Sequence, residues 1–300
     1  MTAPDQHQNR KPAGCHLPRL VAHRGYPYRY PENTLPGITA ALAAGASHIE
    51  VDVQLSTDGV PMLFHDVSLA RTTGRAGNIM DLDCATLSRI PAGEPRRFGR
   101  RFAHVTIPTL AALAELLGTW PAAEVFVEIK TESLARFGTQ AVVTAVMAAV
   151  EPLGMRAIPI SYAAEALQAA RRRGARRVGW VLSRPDAAHR RQAEALRPDY
   201  LFCNHTRLKP GPEALWSGPW AWVLYEIADA RLALDWHARG ARYIETMAVG
   251  ELLRQLASMT GSVPESMLGS IPGSILGSTP GTTSGGSPLQ RGGTRNDGDE

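Results

Sequence analysis

Short apolar runs alternate with longer alanine-rich stretches from residue 20 to about residue 258 of the chain. The runs have the length and the β-branched content of strands, and the stretches between them have helical periodicity. We predict strands at Leu20–Ala22, His48–Leu55, Glu124–Ile129, Ala157–Ile160, Arg177–Leu182, Asp199–Cys203, Ala221–Tyr225 and Arg242–Glu245. We predict helices at Thr34–Ala44, Thr109–Leu117, Glu132–Val150, Ala163–Arg173, Ala187–Leu196, Asp229–Arg239 and Ala248–Ala257.

Eight strands that alternate with helices over about 240 residues fit the α/β class and, within it, a (β/α)8 TIM-type barrel. A doubly wound open sheet is the structural alternative. The alternation is interrupted between His65 and Thr109, where the sequence is rich in Gly, Arg and Pro and offers one short helix, Asp83–Ile90. We therefore expect a small excursion or cap at residues 66–106, after the second strand, with a short strand Val60–Phe64 leading to His65.

The two ends of the chain differ from the segment at residues 18–259, which we assign to the barrel. Residues 1–17 are polar and are expected to be a flexible N-terminus. Residues 260–300 are rich in Gly, Ser and Pro, with prolines at positions 264, 272, 280 and 288. Such a composition cannot bury enough apolar surface to offset the entropy lost on ordering. We predict a disordered tail, which is either a dispensable extension or a tether that binds a partner.

Composition narrows the classes of function. The net charge is +4, but 29 of the 32 basic residues are arginine and acidic residues lie among them, so we expect no nucleic-acid binding. Cys15, Cys84 and Cys203 are far apart and have no metal-ligand spacing. We find no apolar leader and no run long enough to cross a bilayer. These features predict a soluble, cytoplasmic protein without stable membrane insertion; they do not predict a protein partner.

Two acidic residues, Glu50 and Asp52, lie two positions apart in an otherwise apolar predicted strand. Residues i and i+2 of a strand project from the same face, so the two carboxylates converge. Inside a barrel mouth they would repel each other unless a cation neutralised them. Glu128 and Lys130 repeat this spacing in a later strand. The simpler interpretations are a solvated edge strand for the first pair and a surface ion pair for the second.

Glu50, Asp52 and Glu128 together offer three oxygen ligands. With the remaining positions left to water and substrate, such a set suits Mg²⁺ or Ca²⁺ better than structural zinc. Lys130 adds a positive charge for an anionic substrate, and it is one of only three lysines in the chain.

Two histidines are predicted at the same rim of the barrel. His23 ends the first strand and is followed by Arg24, and His65 follows another short strand. Two histidines can divide acid and base roles near neutral pH. A lone histidine is more often structural, and we interpret five further histidines as ordinary surface or packing residues: His48, His104, His189, His205 and His237.

Several short motifs together resemble the glycerophosphodiester phosphodiesterase family. They are His23-Arg24-Gly25, Pro31-Glu32-Asn33-Thr34, Glu50-x-Asp52-Val53, Asp58-Gly59-Val60, His65-Asp66, Arg71-Thr72-Thr73-Gly74, Pro108-Thr109-Leu110 and Glu128-x-Lys130. Each motif is weak alone, but jointly they are specific. The resemblance covers roughly residues 20 to 258. It implies a TIM-type barrel that uses a divalent cation to hydrolyse glycerophosphodiesters to glycerol 3-phosphate and an alcohol.

The resemblance also implies roles, position by position. His23 and His65 match the catalytic pair, and the ligands of the divalent cation, Mg²⁺ or Ca²⁺, match Glu50, Asp52 and Glu128.

Arg24 and Lys130 match groups that face the phosphate, and Trp222 matches the tryptophan of the family's late Trp-Thr-x-Asn strand. The Thr and Asn of that motif are replaced by Val223 and Tyr225. The usual final Thr-Asp becomes Thr246-Met247, preceded by Glu245. Tyr225 and Glu226 are either replacements in substrate binding or packing and ion-pair residues.

Two rival functions remain open. A metal-dependent phospholipase of the same barrel type would cleave intact lipids, but the chain offers no clear amphipathic membrane segment. A phosphate-binding barrel that lacks activity is suggested by the altered late motif. The presence of both histidines and all three carboxylates favours an enzyme, because binding alone needs fewer groups that transfer protons.

Overall fold

The computed structural model describes residues 17–209 and 211–260 of the 300-residue chain. The predictions of a flexible N-terminus and a disordered tail therefore lie outside the described residues, apart from residues 17 and 260.

The described residues contain nine strands that form one sheet. They are β1 Arg19–His23, β2 His48–Leu55, β3 Pro61–Leu63, β4 Glu124–Ile129, β5 Ala157–Ser161, β6 Gly179–Val181, β7 Tyr200–Asn204, β8 Ala221–Tyr225 and β9 Ala241–Thr246. Eight of them run parallel, and β1 pairs with both β2 and β9, so the sheet closes on itself. The predicted (β/α)8 barrel is confirmed, and the open sheet is excluded. The strand β3 is antiparallel and lies on the edge of β2.

Helices connect the strands. They are α1 Leu35–Ala43, α2 Ala70–Thr73, α3 Cys84–Leu87, α4 Pro95–Phe98, α5 Leu110–Gly118, α6 Thr131–Phe137, α7 Thr139–Ala149, α8 Ala164–Arg172, α9 Ala187–Leu196, α10 Ala230–Ala238 and α11 Val249–Thr260. Short 3-10 segments occur at Ile79–Asp81, Glu151–Arg156 and His205–Arg207. Within the described ranges, no helix is both long enough and apolar enough to cross a membrane.

The predicted continuous helix Glu132–Val150 is wrong, because the chain forms α6 and α7 with a break between them. Gly138 lies at the break with a φ of 81°. This left-handed region is open to glycine but costly for residues that carry a Cβ. The alanine-rich periodicity on both sides concealed the break.

The barrel strands alternate between two apolar environments. Val21, Phe126, Val223 and Tyr243 belong to a cluster enclosed by the barrel, whereas their neighbours along the strands belong to the layer shared with the helices. Since side chains alternate across a strand, the residue two positions further on points inward again, closer to the carboxyl-terminal end. That next inward position is occupied by polar residues, which form the candidate site.

The excursion after β3 contains more structure than the sequence predicted. The helix expected at Asp83–Ile90 spans only Cys84–Leu87, and the Asp83 side chain caps it by accepting from the Thr86 backbone N–H at 2.7 Å. Two further short helices, α2 and α4, also lie here. A separate apolar cluster packs the excursion against β3 and the residues that flank it; it is formed by Met62, Phe64, Leu69, Ile79, Met80, Leu87, Ile90, Ala92 and Ile107. This cluster explains how a Gly- and Pro-rich segment holds a defined shape beside the site.

Candidate active site

A cavity of about 640 Å³ opens at the carboxyl-terminal ends of the barrel strands. Its walls include His23 from β1, Glu50 from β2, Glu128 from β4, Tyr225 from β8 and Glu245 from β9. Strand pairing sets the first of these side by side, because His23 pairs with Glu50 in the register of β1 and β2. This is the end of a parallel barrel at which functional residues gather.

Asp52 is fully buried, and its oxygens are surrounded by donors. Lys130 Nζ donates to Oδ1 at 3.1 Å, and Asn33 Nδ2 donates to Oδ2 at 2.9 Å. The Arg24 guanidinium also pairs with Oδ2 at 3.0 Å. Burial alone would raise the pKa of Asp52, but Arg24 and Lys130 outweigh it and the pKa is lowered. Asp52 is therefore a fixed negative charge that positions two cationic side chains.

Glu50 has a different environment although it is only two residues away. The backbone N–H of Arg24 donates to its Oε2 at 3.1 Å, while its buried Oε1 has no hydrogen-bond partner. The pKa of Glu50 is raised well above its usual range, by burial first and then by Asp52 and Glu245. A buried carboxylate oxygen without a donor is costly unless a cation approaches it.

Glu128 and Lys130 form an ion pair of 2.7 Å between Oε1 and Nζ. The pKa of Glu128 is nevertheless raised, because burial outweighs the attraction of Lys130. The pKa of Lys130 is raised as well: burial lowers it, but Asp52 and Glu128 outweigh burial. Lys130 is thus a permanent positive charge in the wall of the cavity.

The structure brings the two predicted histidines to the same cavity, in unlike surroundings. His23 is buried, and its Nε2 lies 3.8 Å from Glu50 and 3.9 Å from Glu245. Burial, aided by Arg24, lowers the pKa of His23 to about 3, so the imidazole is neutral. His65 is one-third exposed, and its Nδ1 lies 2.6 Å from Asp66 Oδ1. This contact leaves Nε2 of His65 as the nitrogen free to meet a ligand.

An arginine of the excursion, Arg71, bridges Glu32 and Asp66. Arg71 donates to both oxygens of Glu32 at 2.7 Å and pairs with Asp66 at 2.7 Å. Glu32 in turn accepts from Arg24 at 3.1 Å. Burial raises the pKa of Asp66, but the bonds from Arg71 and His65 dominate and lower it to about 2. The sequence motifs contained Glu32, Asp66 and Arg71, but spacing alone gave them no role.

The carboxylates fit an oxygen-ligated divalent cation. The ligand atoms of Glu50, Asp52 and Glu128 lie within 4.8 Å of one another, and those of His23, Glu50 and Glu245 meet the same limit. One ion with bonds of about 2.1 to 2.5 Å can bridge atoms at such separations. Glu50 belongs to both sets, and its unpartnered Oε1 could bind that ion without breaking a hydrogen bond.

Glu245 also belongs to the site, although the sequence motifs gave it no role. It is 2% exposed and, like Tyr243 two positions before it, points into the barrel. Its pKa is raised well above the usual range, by burial first and then by Glu128. The sequence alone could have indicated this position. Glu245 lies two residues after Tyr243 in the same strand, so both side chains point to the same face, and an inward Tyr243 implies a buried Glu245.

Trp222, by contrast, does not reach the cavity. Its neighbours Val223 and Tyr225 occupy the inward positions of β8, so Trp222 points to the outer layer, where its Nε1 donates to Trp216 O at 2.9 Å. The side chain from β8 that reaches the cavity is that of Tyr225, whose hydroxyl lies 3.0 Å from that of Tyr162. Of these two residues of the late motif, Tyr225 and not Trp222 therefore lies in the cavity wall.

Three residues that line the cavity or bond to Asp52 have a left-handed backbone without being glycine. They are Arg24 with a φ of 55°, Asn33 with 53° and Glu226 with 70°. Arg24 and Glu226 line the cavity, and Asn33 holds Asp52. Such strain, of about 1 kcal/mol or more per residue, persists where the surroundings enforce it, and it is concentrated at functional sites.

Fold and site together define a (β/α)8 barrel with buried acidic residues and two histidines at its catalytic end. A model of the Glycerophosphoryl diester phosphodiesterase family matches residues 23–213. The chain belongs to this family.

Curated relatives match shorter segments. The glycerophosphodiester phosphodiesterase of Caldanaerobacter subterraneus subsp. tengcongensis is 39% identical over 99 residues, which are 33% of this chain and 40% of that protein. Human glycerophosphodiester phosphodiesterase 1 is 38% identical over 98 residues, which are 32% of this chain and 30% of that protein. The match thus spans less than half the length of these relatives.

Solved structures match across the barrel. An Oleispira antarctica phosphodiesterase, in complex with the product sn-glycerol-3-phosphate, superposes with a TM-score of 0.70 at 25% identity. The alignment covers 80% of this chain and 97% of that one. A putative glycerophosphoryl diester phosphodiesterase from Silicibacter pomeroyi superposes with a TM-score of 0.69 at 21% identity, covering 82% and 95% of the two chains, and shows the same fold.

Proposed function

We propose that the protein hydrolyses glycerophosphodiesters to glycerol 3-phosphate and an alcohol. The observation that carries this proposal is the convergence of His23, His65 and Lys130 with two or more buried carboxylates on one cavity. Membership of the family and the product named for the Oleispira antarctica enzyme support the same chemistry. We also propose a cytoplasmic location, with which the free thiols of Cys84 and Cys203 agree.

Glu50, Asp52 and Glu128 would hold a divalent cation, and their oxygen ligands suit Mg²⁺ or Ca²⁺. When bound, the cation supplies Lewis acidity toward a phosphate oxygen. Asp52 contributes mainly by charge, since Arg24, Asn33 and Lys130 already surround it. Glu50 contributes the free oxygen.

Arg24 and Lys130 would bind the phosphodiester and stabilise the charge that grows on its oxygens. Both are held in place before the substrate arrives, Arg24 by Asp52 and Glu32 and Lys130 by Asp52 and Glu128. Donors that are already oriented need no reorganisation during the reaction. Electrostatic stabilisation by such preorganised donors is usually the largest contribution to catalysis.

The two histidines would move the protons. His23 is neutral, which suits it to accept the proton of the attacking water while the new P–O bond forms. His65 is oriented by the contact of its Nδ1 with the Asp66 carboxylate, and it would donate a proton to the departing alkoxide. The proton balance closes, since one proton is taken from water and one is given to the alcohol.

A turnover screen tests the proposal. Glycerophosphocholine, glycerophosphoethanolamine and an intact phospholipid are incubated with the protein in Mg²⁺, Ca²⁺ or chelator, and both glycerol 3-phosphate and the freed head-group alcohol are measured. We expect release of both products from the two glycerophosphodiesters, and we expect that release to require a cation. Release of the head-group alcohol from the phospholipid alone would support the rival lipase, and binding without turnover of any compound would support the inactive phosphate-binding barrel.

A further inference from the structure

Two tyrosines meet across the mouth of the cavity. Tyr162 directly follows β5 and Tyr225 ends β8, and their hydroxyl oxygens lie 3.0 Å apart. Both side chains line the cavity. In the order of strands around the barrel, β6 and β7 lie between β5 and β8. The two tyrosines therefore connect strands that are not neighbours, and we call the pair the tyrosine bridge.

Alternation along the strands explains why these side chains meet. Ile160 on β5 and Val223 on β8 belong to the apolar cluster inside the barrel, and each tyrosine lies two residues after one of them. Tyr162 and Tyr225 therefore point inward, one step nearer to the carboxyl-terminal end. The indole N–H of Trp180 donates to the carbonyl oxygen of Tyr162 at 3.0 Å. Both ends of the bridge are thus fixed by the barrel strands and their immediate contacts.

The groups assigned to catalysis lie on one side of the bridge. From β8 round to β5, on the side away from β6 and β7, the strands are β9, β1, β2 and β4. These strands and the residues directly after them supply Glu245, His23, Arg24, Glu50, Asp52, Glu128 and Lys130. His65 joins them through the side chain of Gln54 on β2, which donates to the carbonyl oxygen of His65 at 3.2 Å. The bridge therefore closes the arc of strands that carries the catalytic groups.

The other side of the bridge lies over the ends of β6 and β7. Here the cavity is lined by Val181, Phe202, Asn204 and Arg207. Val181 and Phe202 belong to the apolar cluster inside the barrel, so they form the floor of this part. The bridge itself lies at the rim, since Tyr162 is 36% exposed. It therefore divides the cavity into a part with the catalytic groups and a part without them.

The bridge also presents a polar group to the cavity. Burial is the first cause that raises the pKa of Tyr162 and of Tyr225, so both hydroxyls keep their protons at neutral pH. Only one of the two O–H groups donates within the pair. Neither hydroxyl has another hydrogen-bond partner among the residues that the structure describes. One O–H group is therefore free to donate to a ligand.

We propose that the tyrosine bridge determines specificity, by limiting the alcohol of the diester to a small polar one. This inference rests on the proposed function. Arg24 and Lys130 would hold the phosphodiester within the closed arc, so a long or bulky arm that extends across the barrel collides with the bridge. His65, which would protonate the departing alkoxide, is held beside β2, and Tyr162 follows β5; these strands are the two parallel neighbours of β4. The alcohol therefore departs on the side of the cavity that Tyr162 borders.

The test compares two glycerophosphodiesters with alcohols of different size, glycerophosphoethanolamine and glycerophosphoinositol, by the release of glycerol 3-phosphate. The ratio of their kcat/KM values is the readout, because a general loss of activity cancels in it. We expect the full-length wild type to prefer glycerophosphoethanolamine, and Tyr162→Ala to lower that preference about tenfold. Tyr162→Phe keeps the ring and should lower it less. Tyr225→Phe breaks the same hydrogen bond and should match Tyr162→Phe.

Tyr28→Ala is the matched control, since Tyr28 is 63% exposed and does not line the cavity. We expect this variant to keep the wild-type ratio. A wild type without preference for the smaller alcohol, or a Tyr162→Ala protein with the wild-type ratio, would overturn the inference and leave the proposed function intact. A wild type that releases glycerol 3-phosphate from neither substrate would overturn the proposed function, and this inference with it.

Discussion

The two ends of this barrel use the same strands in opposite ways. At the carboxyl-terminal end, inward positions hold titratable groups such as His23, Glu50 and Glu245, which are buried at 7%, 1% and 2% exposure. At the amino-terminal end, inward positions hold aromatic rings, with Phe126, Tyr200 and Tyr243 in edge-to-face contact at centroid distances of 4.9 to 6.4 Å. The aromatic packing at the amino-terminal end stabilises the fold. The burial of polar groups at the carboxyl-terminal end lowers the stability, and packing elsewhere must offset that loss.

The difference teaches how the site is made. A step of two residues along a strand keeps the side chain on the inner face but changes its environment from packed rings to a cavity. Phe126 and Glu128 illustrate this step on β4, as do Tyr243 and Glu245 on β9. Phe202, from the same inner cluster, lines the cavity, so the charges beside it act in a medium of low dielectric, where their interactions are strong.

The largest expected effect is on catalysis at the charged end. His23→Ala should lower kcat for a glycerophosphodiester by about 10²- to 10⁴-fold, the usual contribution of a group that transfers a proton. The matched control is His104→Ala, which removes an exposed histidine in the excursion. Circular dichroism should show both variants folded. A folded His23→Ala protein with wild-type kcat would exclude His23 from the chemistry.

The packed layer should respond in the opposite way. Phe126 is fully buried and contacts Tyr200 and Phe202, so Phe126→Ala should lower the free energy of unfolding by about 3 to 5 kcal/mol. Chemical denaturation measures this loss, with Met155→Ala, at a residue that is 55% exposed, as the control. Equal stability of the two variants would mean that the aromatic layer does not support the barrel.

A smaller effect is expected where the excursion meets the charged end. Arg71→Ala removes the bonds to Glu32 and Asp66 and should lower kcat/KM about tenfold, as expected for charge-assisted bonds that are partly exposed. Arg71→Lys restores the positive charge but not the bidentate hydrogen bonding of the guanidinium group, and it should recover part of the loss in kcat/KM. If both variants matched wild type, Arg71 would be a surface residue without influence on the site.

The smallest expected effect is the release of protons from the buried carboxyl groups of the site when a cation binds. Burial, followed by neighbouring carboxylates, raises the pKa of Glu50 and Glu245, and burial raises that of Glu128. Groups with a raised pKa retain protons above the usual carboxyl range, and a cation must displace them. Cation affinity should therefore rise with pH until the raised pKa values are passed.

Calorimetry in buffers of different ionisation enthalpy measures this release. We expect on the order of one proton per cation at slightly acidic pH and less as the pH rises. A binding enthalpy that is the same in every buffer would show that these carboxylates are already ionised.

Much of the fold could be predicted because its signals are local. The strands β2, β4 and β8 were predicted with their observed bounds, since apolar runs between helical stretches are the primary signal of a parallel barrel. The break at Gly138 and the helices α2 and α4 were not predicted. They depend on one backbone conformation and on packing within the excursion, which periodicity does not record.

The site was predictable where spacing implies geometry. Glu50 and Asp52 share a face by alternation, and the structure places them beside Glu128, as expected. The opposite protonation tendencies of Glu50 and Asp52 were not predictable, because Asn33, Arg24 and Lys130 approach Asp52 from other elements. The place of Tyr225 in the cavity wall likewise depends on the register of β8, which the resemblance of Trp222 obscured.

The most direct test of the central claim is a ³¹P NMR time course of glycerophosphocholine with the protein and Mg²⁺ or Ca²⁺. We predict that the diester resonance is replaced by that of glycerol 3-phosphate, and that Glu50→Gln at equal concentration leaves the diester intact. A transient cyclic phosphate would identify the glycerol hydroxyl rather than water as the nucleophile. An unchanged diester resonance with every cation, or equal conversion by Glu50→Gln, would contradict the account.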